Sequence, residues 1–154
     1  MQRIVIKELK PVYDLEVPMK TWKILGYMGL IPFVACLYLS EREMVWGIAL
    51  KSAFIAYSAI ILSFIAGTIW RVDRQLQQSH QQIVSNIFSI TAFACLLIRH
   101  DIALGILATS YLLLFLYEIR FVKQSKLKID YIIMRFRLTF AVILLHIVAL
   151  ILWS

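Results

Sequence analysis

Apolar residues arrive along this chain in five long runs, and polar residues gather in the short intervals between them. The runs lie near 22–39, 45–70, 83–98, 102–117 and 132–153. The intervals are Ser40 to Glu43, Arg71 to Gln82, Arg99 to Asp101 and Glu118 to Asp130. A helix needs about 20 mostly apolar residues to cross the hydrocarbon of a bilayer. Runs such as Ile55–Phe64 and Ile102–Leu116 do not alternate apolar with polar, as the strands of a membrane barrel do. Lipid supplies no hydrogen-bond partner, so each run must satisfy its own backbone as an α-helix. The pattern predicts an all-α polytopic membrane protein, a bundle of five transmembrane helices in a single domain over residues 1–154.

Within the runs, small and polar residues fall at helical spacing. The first span carries Gly26, Gly29 and Pro32, the material of close approach and of a kink. In the second, Ser52, Ala56, Ala59, Ser63 and Gly67 share an arc of about 80° at about 100° per residue, a seam suited to a neighbouring helix. Counting from Met44 as a helix places Lys51 about 10 Å inside, where it snorkels outward or pairs with Glu43 or Asp101. Gln82, Asn86, Ser89, Phe93 and His100 form a stripe on the third span that should face other helices. On the fifth, Arg135, Thr139, Val142, His146, Ala149 and Trp153 line one face. His146 falls near mid-membrane, about 16 Å of helix rise from Arg135, and Asn86 and Ser89 are its expected partners.

Charge adds orientation. The chain is 62% hydrophobic and 16% charged, with a net charge of +7. With five spans, thirteen of its Lys and Arg residues fall on the side of the N-terminus, the second loop and the fourth loop. Only Arg42 and Arg99 occupy the opposite loops. Short loops rich in Lys and Arg stay cytoplasmic, so the N-terminus, with residues 1–21, is expected inside and the C-terminus outside. The basic side suits anionic headgroups. No aromatic–basic alternation accompanies the charge, which disfavours nucleic acid. No removable targeting segment is expected, because Met1–Lys20 mixes its bases with Glu8, Asp14 and Glu16 and holds Pro11 and Pro18. At the cytoplasmic mouth Arg71, Asp73, Glu118 and Arg135 come to similar depth, and Arg135 is expected to bond Glu118 or Asp73.

Motifs of catalysis or metal binding are missing from this pattern. Cys36 and Cys95 lie inside spans without CxxC or Cys/His spacing. His80 and His100 fall at opposite ends and match His146 at neither depth, so no haem ligand pair is expected. No Gly-x-Ser-x-Gly or His-Glu-x-x-His run occurs. The chain is therefore expected to be no enzyme and to carry no metal or other cofactor. Lys51, Asn86 and His146 remain as intramembrane polar candidates.

Three segments carry a resemblance. They are Leu25 to Phe33, Tyr57 to Trp70, and Tyr131 through Arg135-Phe136-Arg137-Leu138-Thr139. Their order and spacing resemble a family of small multi-pass membrane proteins catalogued as a domain of unknown function, with bacterial members and a mitochondrial inner-membrane relative. Ala66 stands where that family often has a Gly, and Ile69 where a His is common. The resemblance implies a five-helix protein of the bacterial inner (plasma) membrane, or alternatively of the mitochondrial inner membrane, and it implies no activity. Seams without a catalytic constellation predict an accessory, assembly or structural component of a membrane complex, packed against copies of itself or another membrane protein. A small transporter or proton/ion conductor using Lys51, Asn86, Arg135 and His146 is the alternative. Five spans do not divide into inverted halves, which weighs against it.

Overall fold

The computed structural model describes residues 19–39, 44–45, 48–69, 79–121 and 129–153. The described helices are α1 (Met19–Met28), α2 (Ile31–Tyr38), α3 (Leu50–Thr68), α4 (Ser79–Cys95), α5 (His100–Phe121) and α6 (Ile129–Trp153). Two short strands, β1 (Met44–Val45) and β2 (Ile48–Ala49), pair antiparallel ahead of α3. Because α1 and α2 form one broken rod, the described chain amounts to five helical rods.

The break explains the Gly29–Pro32 stretch. Pro32 sits in the first turn of α2, where its missing N–H costs no helical bond. The Leu30 N–H turns back to the Tyr27 carbonyl at 3.0 Å. The Tyr57 hydroxyl of α3 donates to the Gly29 carbonyl at 3.0 Å, so the interrupted backbone is tied to the neighbouring helix. A Cβ at Gly26 would lie 3.0 Å from Leu138 and 3.5 Å from Met134, both on α6, so here a glycine does permit close approach.

Two boundaries differ from the hydropathy pattern. The second rod starts at Leu50 rather than Val45, because Met44–Val45 and Ile48–Ala49 form the Met44↔Ala49 and Val45↔Ile48 pairings. β-Branched Val45 and Ile48 are as apolar in a strand as in a helix, so hydropathy does not separate the two. Lys51 consequently occupies the first turn of α3, exposed at the bundle's end, and not a site one or two turns inside. The third rod stops at Cys95, where Leu96 and Leu97 donate back to Phe93 and Ala94 in tight turns. His100 therefore begins α5 and does not extend the stripe of Gln82, Asn86 and Ser89.

Helices α3 and α5 occupy the centre. Helix α3 packs against α2, α4 and α5, while α6 lies along α5 and touches α1 and α2. Three segments, Leu50–Thr68, His100–Arg120 and Tyr131–Trp153, are long and apolar enough to cross a membrane, and Ile24–Tyr38 is a shorter apolar helix. The core is mostly apolar, and so is much of the outer surface. Ser58, Ser85, Ser110, Glu118, Thr139 and His146 are buried, while Tyr38, Phe64, Leu97 and Ile151 stand at least 70% exposed. Buried polar groups demand partners, and so large an outward apolar surface demands an apolar surrounding.

The small-residue seam of α3 packs only at its middle. Ala59 is buried, Ala56 and Ser63 are half-buried, and Ser52 and Gly67 are exposed. The buried face is built on Phe54, Ser58, Leu62 and Ala66 instead, rotated by about 120° from the seam. A Cβ at Gly67 would meet nothing within 4 Å, so that glycine holds no neighbour close. Replacing Ala59 with Leu should cost about 1–3 kcal/mol by overpacking, and Ile60→Leu, at an exposed position, should be mild. Gly67→Ala should leave the melting temperature unchanged or raised. Thermal denaturation in mild detergent checks all three, and equal effects of the Ala59 and Ile60 changes would contradict this packing.

Candidate functional site

The inward face of α6 carries a column of polar groups. Arg135, Thr139, Val142, His146 and Ala149 all turn into the bundle, as their spacing predicts.

At one end, α5 brings Glu118 alongside α6. Arg135 Nε donates to Glu118 Oε2 at 3.0 Å, and the Tyr131 hydroxyl donates to Glu118 Oε1 at 2.9 Å. Tyr131 and Arg135, four residues apart, share one helical face. Both charged side chains are 11% exposed. Among the described residues, the carboxylate bonded to Arg135 is that of Glu118. Arg71 and Asp73 lie outside the described residues.

His146 occupies the middle and is fully buried. Its Nδ1 lies 2.8 Å from the Val142 carbonyl oxygen. A carbonyl only accepts, so Nδ1 carries the proton and Nε2 is bare. Ser58 Oγ, 2.9 Å from Nε2, therefore donates to it. The Ser58 carbonyl in turn accepts the Tyr111 hydroxyl at 2.8 Å. Aromatic rings close the layer, with Phe54 at 5.1 Å from the imidazole centroid and Phe33 and Tyr111 at 5.8 Å. The imidazole is held in one orientation by one partner on its own helix and one on α3.

This corrects the expected partnership. Asn86 is exposed on α4 and Ser89 is half-buried, and the bonds of His146 go to Ser58 and Val142 instead. The cause is the placement of α4, which packs on α3 and α5, while α6 packs on the other side of the pair. Ser58, Tyr111 and Tyr131 were not singled out from sequence. Tyr131 precedes Arg135 by one helical turn, and that spacing was the available signal.

At the opposite end, Lys51, Arg99, His100, Asp101 and Trp153 surround a cleft of about 890 Å³. Asp101 bonds Arg99 at 3.0 Å rather than Lys51. Glu43 lies outside the described residues. Lys51 Nζ stands 5.9 Å from the Trp153 ring, a cation–π arrangement, and Ser52 and His100 share a 3.1 Å hydrogen bond. A second cavity, of about 330 Å³, lies at the Arg135 end between the broken rod, α3 and α6. The two spaces sit on either side of the His146 layer. Among the described residues no group of His, Cys, Asp and Glu could hold a metal ion, and Cys36 and Cys95 are free thiols.

These features define a helical bundle with three apolar helices of membrane-spanning length, an apolar core threaded by a few bonded polar groups, and an apolar outer surface. The chain belongs to the family described as "Protein of unknown function (DUF3429)", whose profile matches residues 18–151. No curated protein and no solved structure matches the chain.

Proposed function

We propose that the protein is a non-catalytic accessory, assembly or structural component of a membrane complex. The observation that carries this is Asn86. Its amide is exposed near the middle of α4, on a surface that also exposes Ile83, Ile87 and Ile90. An amide turned into hydrocarbon is costly, and a polar or small residue on a neighbouring helix relieves the cost. A second chain, either another copy or a different membrane protein, would supply that helix. The internal closure of His146 on Ser58 and Val142 also favours it, since both ring nitrogens are engaged within the bundle and neither is left to act on a substrate.

In this reading the chain crosses the bilayer five times, with the N-terminus inside, the C-terminus outside and the basic loops against anionic headgroups. The family resemblance favours the bacterial inner membrane, with the mitochondrial inner membrane as the alternative. Single cysteines introduced at Lys126 and at Ser154, in a chain freed of Cys36 and Cys95, test the orientation in intact cells. An impermeant thiol reagent should label the Ser154 site alone, and labelling of the Lys126 site alone would invert the topology. A photo-crosslinking residue at Asn86 tests the complex. It should capture a second membrane chain at a defined stoichiometry, and an uncrosslinked 17.9 kDa monomer in native membranes would contradict the proposal.

Transport is the second reading. It is favoured by the two cavities at opposite ends of the bundle, with the aromatic layer around His146 between them.

A further inference from the structure

The 330 Å³ cavity at the Arg135 end has an unusual combination of walls. Its mouth includes Leu25 and Phe64, which are 69% and 70% exposed on the apolar outer surface. The cavity thus opens sideways, where lipid chains would lie, and not only at the end of the bundle. Its wall is thinned at Gly26, where a Cβ would crowd Leu138 and Met134. Its polar lining comes from Arg135, Tyr131, Thr139, Thr68 and Tyr111.

We propose that this cavity binds a single membrane amphiphile: an apolar chain ending in an uncharged carbonyl, as on a quinone ring or a glycerolipid ester. The charge balance selects the head. Among the described residues Arg135 is the one charged residue lining the cavity, and Glu118 already neutralises it. An anionic head would leave a net buried negative charge and compete with Glu118, while a cationic head would meet Arg135 directly. A neutral acceptor disturbs neither member of the pair. The Glu118 bond engages Nε and Tyr131 also bonds the guanidinium, which leaves others of its five N–H donors to hold a carbonyl oxygen. The volume lies at the low end of ligand cavities, roughly 300–1,000 Å³. It accommodates a head and the first part of a chain, with the remainder of the chain leaving past Leu25 and Phe64 into the bilayer.

The test is photolabelling of the full chain in lipid nanodiscs with two diazirine probes, a short-chain quinone and a diacylglycerol. At least one should label saturably, on the α1–α2 and α6 residues around the cavity. Saturation by the quinone alone assigns a quinone head, and saturation by the diacylglycerol alone assigns a lipid ester. Arg135→Lys, which retains a cation for Glu118 but loses the planar set of donors, should weaken apparent affinity about tenfold, the loss of one good hydrogen bond. Leu25→Trp, at an exposed position, should narrow the mouth and reduce labelling several-fold without lowering the melting temperature, and it serves if Arg135→Lys fails to fold. Labelling that never saturates, that spreads equally to outer positions such as Ile151, or that neither variant changes would overturn the proposal. So would displacement of both probes by an anionic phospholipid more readily than by their own unlabelled forms.

Discussion

Arg135→Ala should lower the stability of the bundle by about 3–5 kcal/mol, the largest effect expected of any single substitution here. The change leaves Glu118 charged, 11% exposed, and, among the described residues, held by the Tyr131 hydroxyl alone. Desolvation of a lone carboxylate is the dominant cost, and it exceeds the value of the hydrogen bond itself. Glu118→Ala should act in the same direction, because it strands the guanidinium. Removing both charges together, as Glu118→Gln with Arg135→Met, should recover much of the loss, since a buried pair contributes little beyond an apolar replacement of similar shape. Unfolding curves in mild detergent, set out as a double-mutant cycle, measure this directly. Additive losses in the double variant would show that the two residues do not act as a pair. The effect should also persist at high salt, because screening acts weakly on a buried pair.

His146→Leu should be the next most damaging change, at about 1–3 kcal/mol. It removes the acceptor for the Ser58 hydroxyl and leaves that hydroxyl buried without its partner. Leucine fills similar space, so the cost measures hydrogen bonding more than a cavity. His146→Gln should cost less, because an amide offers an acceptor for Ser58 and a donor for the Val142 carbonyl. Ser58→Ala should reproduce part of the His146→Leu loss, and the pair of changes should be less than additive. If Leu and Gln at position 146 gave the same melting temperature, the hydrogen bonds of this imidazole would not stabilise the bundle.

What could be seen in sequence follows from what hydropathy and helical spacing encode. The inward face of α6 was visible because Arg135, Thr139, Val142, His146 and Ala149 recur at one angle, and a buried Arg needs a carboxylate at its own depth. Glu118 satisfied that depth count. The rotation of α3 was not visible in the same way. Its seam of Ser, Ala and Gly suggests close packing, but Phe54 and Leu62 bury more area and decide which side turns inward. Only Ala59 belongs to both faces. Asn86 shows a related ambiguity, because an intramembrane amide needs a partner and spacing does not say whether that partner lies in the same chain. The start of α3 was misplaced for a third reason. Met44–Val45 and Ile48–Ala49 keep the hydropathy of a span while pairing as antiparallel strands, and only geometry separates the two.

In the reading proposed above, His146 is a structural group closed on Ser58 and Val142, and the protein acts through association rather than transport. Proton and solute flux in liposomes reconstituted with wild-type protein and with His146→Gln tests this most directly. Flux through both proteins should equal that of empty liposomes, with both folded to the same extent. Wild-type flux above that background, abolished in a folded His146→Gln protein, would contradict the account and establish the layer between the two cavities as part of a transport path.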